Sequence, residues 1–143
     1  MRQHLPPGSP RFQTTPLAGS TGFLSRILLA TRKGDPQRYI LKVGRDLSTH
    51  RIWARSLRVF SRELAAYRLL APSRGKFSPR LYVGTSTKDG GNGLLLLEEI
   101  RHARNHDQLQ GLGHTDLTTA ARGIAQIHAR FWNSPALRRA PDL

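Results

Sequence analysis

The apolar residues of this chain change their spacing at Leu47 and change it again after Pro72. Before Leu47 they form short runs between turns that contain glycine or proline, a pattern typical of strands. From Leu47 to Ala71 they recur at every third or fourth position, which predicts a helix ended by Pro72 and Gly75. Short apolar runs then return. Strands on both sides of one long helix predict an α+β layer in which the helix packs on an antiparallel sheet.

Five short strands are predicted in this layer: Phe12 to Thr15, Phe23 to Thr31, Arg38 to Val43, Arg80 to Gly84 and Leu94 to Ile100. Because adjacent strands are joined by hairpin turns, apart from the helical insertion, we expect the sheet to be antiparallel and twisted. A polar connector over residues 101–113 leads to a final helix, capped by Thr115 or Asp116 and ended by Asn133 to Pro135. The predicted elements divide the chain into three segments: a mobile leader at 1–16, a lobe at 17–100, and the connector with its helix at 101–143.

Charge and composition restrict the ligands and the compartment. Lysine and arginine number 23 against 9 acidic residues, giving a formal net charge of +14, and such a field attracts nucleotides, nucleic acids and acidic surfaces. The basic residues are spread along the chain, which favours a dedicated nucleic-acid protein less than a clustered block would. The absence of cysteine excludes disulfides and thiolate metal sites. No run approaches the ~20 apolar residues of a membrane-spanning helix, so we expect a cytoplasmic protein without a membrane partner.

A glycine-bounded turn, Gly19-Ser20-Thr21-Gly22, precedes the strand that begins at Phe23. Glycine lets backbone N–H groups approach phosphate oxygens closely, so the turn is a candidate phosphate-binding loop. A plain hairpin turn would show the same pattern, and that alternative stays open. The turn is not a Walker loop, because no Gly-Lys-Ser/Thr follows and no helix opens there.

Lys42 and Glu63 are the candidate charged pair. Lys42 interrupts the apolar run Ile40 to Val43, and the alternation of a strand places it on the face of Ile40. A lysine there needs an anionic partner or a route to solvent; the alternative is an exposed strand lysine. Glu63 is the only acidic residue of the predicted helix, and a glutamate that orients a lysine towards phosphates is a requirement of kinase folds. Its alternative is a surface pair with a neighbouring arginine.

The run from Leu94 to Ile100 is apolar at first and turns abruptly polar at Glu98 and Glu99. The end of such a strand can present backbone C=O and N–H groups to the edge of an adenine ring. An ordinary core strand is the alternative, and the two interpretations are compatible.

Short segments of the chain also occur in the order seen in one enzyme family. They are Gly-Phe-Leu-Ser-Arg (22–26), Ile-Leu-Lys-Val (40–43), Arg-Glu-Leu-Ala-Ala-Tyr (62–67), Pro-Arg-Leu-Tyr (79–82), Leu-Leu-Leu-Leu-Glu-Glu (94–99), Asp-Gln-x-x-Gly (107–111) and Ile-Ala-Gln-Ile-His-Ala-Arg-Phe-Trp (124–132). In this order they resemble the N-terminal lobe of ecdysteroid-kinase-like proteins, a branch of the aminoglycoside and choline kinase superfamily. The likeness covers residues 17–137, approximately.

The resemblance implies a protein-kinase-like N-terminal lobe, a hinge connector and the first helix of a C-terminal lobe. It also implies ATP as the cofactor, whose γ-phosphoryl group the family transfers to a hydroxyl of a small molecule. Gly19 to Gly22 would then cover the phosphates, Lys42 would hold the α- and β-phosphates, and Glu63 would orient Lys42. The backbones of Glu98 and Ile100 would read the adenine.

The resemblance ends before the family's catalytic loop, His-Gly-Asp-x-x-x-x-Asn, which lies in the C-terminal lobe with a second metal-binding Asp. His114-Thr115-Asp116 imitates only the start of this loop, because Ala121 stands at the Asn position, and His106-Asp107 is followed there by Leu112. We therefore expect no catalytic residue and no metal ligand in this chain, which would be truncated before the catalytic loop. ATP binding should be weak, and Mg²⁺ should bind only if the missing lobe is supplied.

We expect the remaining histidine, tryptophan and apolar residues to contribute to packing more than to catalysis. His128, on the apolar face of the final helix, is interpreted as a core histidine with a hydrogen-bond partner, and Trp53 and Trp132 as core or lobe-contact residues. Parts of the Leu94 strand and of the final helix would form an exposed apolar face, which a complementary C-terminal lobe or a second copy of the chain could cover. A row of arginines predicts a solvated helix face that could bind a polyanion: Arg51, Arg55, Arg58 and Arg62.

Two functions of different class follow from these observations. The first is the ATP-binding lobe of a hydroxyl-directed small-molecule phosphotransferase, inactive alone. The second is a basic protein that binds nucleic acid or an acidic partner on a kinase-derived scaffold, for which a steep loss of affinity with salt would be the signature. The resemblance by itself does not decide whether the chain is an enzyme.

Overall fold

A computed structural model describes residues 12–21, 25–44, 48–73, 78–101 and 110–140. The strands are β1 (Phe12–Thr21), β2 (Ser25–Arg32), β3 (Asp35–Gly44), β4 (Leu81–Ser86) and β5 (Gly93–Glu98). The helices are α1 (Ser48–Ser56), α2 (Val59–Leu70), α3 (His114–Phe131) and α4 (Pro135–Arg138), with a short 3₁₀ turn at Ala71–Ser73. The leader up to residue 11, Gly22 and most of the connector lie outside the described residues.

The described strands form one five-stranded sheet in the order β1-β2-β3-β5-β4, and every neighbouring pair is antiparallel. This confirms the α+β class and the antiparallel sheet of about five strands, whereas the kinase-like lobe stays a prediction. β1 is longer than the edge strand expected at Phe12 to Thr15, and it includes residues 12–16 that we assigned to the leader.

The alternation of β3 sends its side chains to two different cores. Ile40 packs towards α2, against a cluster of Phe60, Leu64, Leu95 and Leu97. Its neighbours Tyr39 and Leu41 face the other side of the sheet, in a cluster with Ala30 and Leu96. Phe60 and Leu95 are fully buried, so the fold is anchored where α2 crosses β5. We expected parts of the Leu94 strand to be exposed: Leu95, Leu96 and Leu97 are buried as members of these two clusters, whereas Ile100, just after β5, is 57% exposed.

The single helix predicted from Leu47 to Ala71 is two helices, which is a correction to the sequence analysis. The chain breaks between α1 and α2, where Arg58 has left-handed backbone angles of φ 49° and ψ 42°. The break turns Trp53 and Leu57 to the solvent side, away from the core formed by Phe60 and Leu64. The apolar residues therefore keep the same spacing across a junction where the helix itself is interrupted.

The turn between β4 and β5 holds this junction in place. The Gly90 carbonyl accepts hydrogen bonds from the backbone N–H groups of Phe60, at 2.9 Å, and of Ser61, at 3.4 Å. It thus satisfies N–H groups that the first turn of a helix leaves unpaired. Gly90 has a φ of +70°, and the adjoining Gly91 lies directly against the backbone of Arg55.

The final helix begins earlier and packs less than the sequence predicted. Its N-cap is Gly113, without a side-chain cap, so the cap at Thr115 or Asp116 is wrong. None of its described side chains is buried. His128 is exposed, not a core histidine, and Trp132, at 77% exposure, is not a core residue either. Among the described residues, little of the chain packs against the apolar stripe of α3, so these side chains stay exposed.

Candidate nucleotide site

An ion pair between β3 and α2 joins the two charged residues that the sequence singled out. The Lys42 ammonium Nζ donates to Glu63 Oε2 at 2.6 Å. The two side chains are only 20% and 23% exposed, so the pair is partly shielded from water. Lys42 is therefore not an exposed strand lysine, and Glu63 pairs with Lys42 instead of forming a surface pair with a neighbouring arginine. A charge-assisted hydrogen bond of this length fixes where the lysine points.

The position of Glu63 follows from the packing of α2. Phe60 and Leu64 anchor this helix in the core beside β5, and Glu63 lies between them in sequence, so it is turned towards the rim of the same interface. Tyr67, one turn further on, is partly buried in that interface. Burial raises the pKa of the Tyr67 phenol, and the nearby Glu63 carboxylate raises it further. Tyr67 therefore remains protonated and neutral beside the pair.

Next to Lys42 the sheet presents an apolar surface. Ile27 lies opposite Lys42 in the β2–β3 ladder, and Leu29 lies opposite Ile40. Directly opposed residues of antiparallel strands share a face. Ile27, Leu29 and Ile40 therefore form one apolar surface, which we call the apolar row, and Lys42 lies at its end beside Ile27. The row is only partly buried. A flat ring could pack on it within reach of the ammonium group.

The backbone of Gly19, Ser20 and Thr21 belongs to β1, whereas Gly22 lies outside the described residues. Thr21 pairs with Arg26, and the β1–β2 register shifts between Pro16 and Thr21. Since Arg26 pairs with Val43, the end of this hairpin lies at the same end of the sheet as Lys42. Thr21 therefore lies at the same end of the sheet as Lys42, two strands away, and the turn predicted at Gly19 to Gly22 is wrong for Gly19 to Thr21, which form the end of β1.

The end of β5 offers fewer free backbone groups than the sequence suggested. The Glu98 backbone N–H donates to the Arg80 carbonyl at 2.9 Å, and the Glu98 carboxylate accepts from the Arg80 N–H at 3.1 Å. The backbone N–H of Glu98 is therefore not available to an adenine. Ile100 follows the strand and is 57% exposed.

A polar cavity of about 720 Å³ opens beside this strand end. Its lining residues are Pro36, Gln37, Arg38, Pro79, Glu98, Glu99, Ile100 and Arg101. Glu99 is bracketed by two guanidinium groups, Arg38 at 2.6 Å and Arg101 at 3.8 Å. This bracket ties the segment after β5 to β3, and sequence reasoning missed it; the abrupt run of charge from Glu98 to Arg101 was the signal that could have revealed it.

The cavity and the ion pair are separated along one strand. Arg38 lines the cavity and Lys42 ends the apolar row, so at a rise of about 3.3 Å per residue the two lie roughly 13 Å apart. Ile40 lies between them, on the same face. A ligand with a flat ring at one end and anionic groups at the other fits this order of features.

A second cavity, of about 560 Å³, lies elsewhere and is mainly apolar. It is lined by Ala66, Leu69, Leu70, Ile127, His128, Phe131, Trp132, Asn133 and Leu137. It therefore separates the end of α2 from α3 and α4, and none of the charged residues of the candidate site contributes to it. Its chemistry favours an apolar contact over a nucleotide.

The arginine row is exposed, and Arg55 in it forms an ion pair. All four side chains, Arg51, Arg55, Arg58 and Arg62, are exposed. Arg55 Nε contacts Asp89 Oδ2 at 2.8 Å. A hydrogen bond from Thr87 lowers the pKa of Asp89 most, followed by the Gly91 N–H and the charges of Arg55 and Arg51. The Asp89 carboxylate in the β4–β5 turn thus neutralises part of the positive charge of the arginine row.

Within the described part of the chain, no group of three or more histidine, aspartate or glutamate side chains is placed to hold a metal ion. No helix among the described residues is both long enough and apolar enough to span a membrane. Compared with known proteins, the chain matches no family model, no curated protein and no solved structure.

Proposed function

We propose that this chain is the ATP-binding lobe of a phosphotransferase that acts on a hydroxyl group of a small molecule. The observation that carries the proposal is the 2.6 Å contact between Lys42 and Glu63, on a strand and a helix that pack together. In phosphoryl transfer by kinases, a strand lysine paired with a helix glutamate must be in place to hold the nucleotide phosphates. Lys42 would hold the α- and β-phosphates, and Glu63 would keep the ammonium aimed at them.

The remaining features supply the other parts of a nucleotide site. The apolar row of Ile27, Leu29 and Ile40 would pack against the adenine ring. The Glu98 carbonyl and the Ile100 backbone would face its polar edge, without the Glu98 N–H. The glycine segment at Gly19 to Thr21, at the Lys42 end of the sheet, would cover the phosphates.

The transfer step itself requires groups beyond this site. A base near the acceptor hydroxyl and oxygen ligands for Mg²⁺ are needed to neutralise the developing charge. We propose that a complementary C-terminal lobe supplies both, while the residues described above bind and orient the nucleotide. The lobe alone should then bind ATP weakly and hydrolyse it at no measurable rate.

Calorimetric titration with Mg²⁺-ATP tests this proposal. A matched pair of variants is available: Lys42→Ala removes the paired lysine, and Lys33→Ala removes an exposed lysine of the β2–β3 turn. Both lower the net charge of +14 by the same amount. We expect Lys42→Ala, and to a lesser degree Glu63→Gln, to abolish or strongly weaken binding, while Lys33→Ala binds like the unmodified protein.

Salt separates this function from its alternative. A formed site holds the phosphates through directed contacts that are partly shielded from water, so binding should persist at moderate ionic strength. Equal weakening by Lys42→Ala and Lys33→Ala, with binding abolished by salt, would mean that ATP is attracted only by net charge. That result would favour the basic protein that binds nucleic acid or an acidic partner.

A further inference from the structure

Helix α1 exposes its large apolar side chains and buries its small one. Ala54 is 3% exposed, whereas the adjacent Ile52 and Trp53 are 66% and 55% exposed. On a helix, positions 52 and 54 lie about 200° apart, so the residue opposite the packed alanine is an isoleucine. Leu57, just after α1, is also exposed. We call Ile52, Trp53 and Leu57 the apolar ridge.

The ridge is held outward by specific contacts. Next to Ala54, Arg55 is tied by its guanidinium to Asp89 at 2.8 Å. Its backbone lies against Gly91, where any side chain would collide with it. The Gly90 carbonyl then caps α2 immediately after the ridge. Rotating α1 to bury Ile52 would break these contacts, so the exposure of the ridge is built into the fold.

Four arginines lie close to the ridge along the chain. Arg51 and Arg55 are on α1, on the side of Ile52 away from Trp53, and Arg58 and Arg62 follow at the break and on α2. All four are exposed. Arginine can keep its charge in a polar layer while its aliphatic stem lies along apolar surface. The combination is a short apolar ridge with a cationic border.

We propose that this ridge binds the surface of a bilayer containing anionic phospholipid. Aliphatic and tryptophan side chains enter the boundary between headgroups and acyl chains, where tryptophan is favoured, while arginines bind lipid phosphates. Nucleic acid offers aromatic stacking for Trp53 but nothing for Ile52 and Leu57. A folded acidic protein would need a groove shaped to this convex ridge, whereas lipid adapts to it.

This proposal departs from the expectation of no membrane partner, which rested only on the absence of a membrane-spanning run; surface binding does not require the ~20 apolar residues of such a run. A helix that lies on a bilayer needs only one apolar face and attraction to anionic headgroups. The overall charge of +14 supplies a long-range attraction of the right sign. The inference is independent of the proposed nucleotide site, because none of the ridge residues lines it.

Single-tryptophan fluorescence tests where the protein contacts lipid. The chain has two tryptophans, so Trp132→Phe leaves Trp53 as the reporter and Trp53→Phe leaves Trp132. With vesicles of phosphatidylcholine and phosphatidylserine, we expect a blue shift of the Trp53 emission and none of the more exposed Trp132. Vesicles of phosphatidylcholine alone should produce no shift. A shift of Trp132 without one of Trp53 would overturn the inference.

Vesicle co-sedimentation tests the contribution of the ridge. The double variant I52S/W53S should bind the phosphatidylserine vesicles at least about tenfold more weakly, because two apolar side chains no longer enter the interface. The matched variant I124S/W132S removes the same residue types from exposed positions of α3 and its end, and should bind normally. Equal binding by all three proteins would show attraction by charge alone and refute the ridge. Binding to single-stranded RNA but to neither type of vesicle would assign the surface to nucleic acid instead.

Discussion

The Lys42–Glu63 pair should be energetically coupled as well as close. Its side chains are mostly shielded from water, so we expect a coupling of about 1 kcal/mol, above that of a typical exposed pair. The measurement is a double-mutant cycle of Lys42→Met and Glu63→Gln in urea unfolding. The Arg38–Glu99 pair, also 2.6 Å apart but with a much more exposed arginine, is the comparison and should couple more weakly. Equal coupling of the two pairs would argue against a preformed site.

The Asp89 carboxylate makes stability depend on acid pH in a defined direction. Its hydrogen bonds from Thr87 and Gly91, and the charges of Arg55 and Arg51, lower its pKa in the folded protein. Its stabilising contribution is therefore complete above the unfolded-state pKa of about 3.9 and is lost as pH falls through the lower folded-state pKa. Asp89→Asn keeps an oxygen acceptor for the turn but cannot titrate.

We expect the unmodified protein to be more stable than Asp89→Asn at neutral pH, and the difference to shrink as the solution is acidified through this range. Thermal unfolding of both proteins over the acid range measures it. All other carboxylates are common to the two proteins, so their titration cancels. A stability difference that does not change with pH would show that Asp89 stabilises the protein through something other than its charge.

At the level of single residues, sequence reasoning succeeded where a side chain obeys a local period. Lys42 falls on the face of Ile40 because strand alternation leaves no other choice. The partner of Glu98 could not be inferred, since the Arg80 carbonyl that accepts its N–H belongs to a segment distant in sequence, just before β4. His128 was misassigned for a related reason: its apolar stripe is real, but whether a stripe is buried depends on what packs against it.

Among the elements, the β4–β5 turn should be sensitive to a single methyl group. Gly90 has a φ of +70°, and a Cβ there would lie 2.5 Å from Ser61 Oγ. Gly34, with a φ of +79°, has no atom within 4 Å of such a Cβ. Gly34→Ala should therefore cost only the left-handed backbone term, about 1 kcal/mol. Gly90→Ala should cost roughly 2 kcal/mol or more, because it also disturbs the cap of α2.

Urea unfolding of the two variants provides the measurement, and the difference between them isolates the packing contribution. If Gly90→Ala were no more costly than Gly34→Ala, the turn would not be holding the α1–α2 junction. The ridge on α1 would then have no fixed orientation, so this comparison also bears on the membrane-surface inference.

The helix break shows why element boundaries resist prediction from the sequence. Neither proline nor glycine lies between Trp53 and Phe60, and the apolar spacing runs through without interruption. The break exists because a turn distant in sequence supplies a carbonyl for the N–H groups of Phe60 and Ser61. The Gly90-Gly91 pair was the available signal, since adjacent glycines often permit close backbone approach. The other four strands, set by local alternation and turn residues, were predicted within about three residues, whereas β1 extends six residues beyond the predicted Thr15.

For the whole molecule, two opposing properties determine association. The net charge of +14 repels copies of the chain from one another. The apolar stripe of α3 attracts them, because Leu117 and Ile124 are each 54% exposed. Salt screens the repulsion, as the Debye length falls from about 10 Å at 0.1 M to about 3 Å at 1 M, but leaves apolar attraction in place. Self-association should therefore increase with ionic strength.

Sedimentation velocity over a range of protein and salt concentrations measures this balance. We expect the average sedimentation coefficient to rise with both, and the double variant L117S/I124S to remain monomeric throughout. The variant I52S/W53S should still associate, because its changes leave α3 intact and thereby separate the stripe from the ridge. Association that weakens as salt is added would instead require contacts between opposite charges. In that case the α3 stripe would not be the contact surface, and the proposal that it docks a complementary lobe would lose its physical basis.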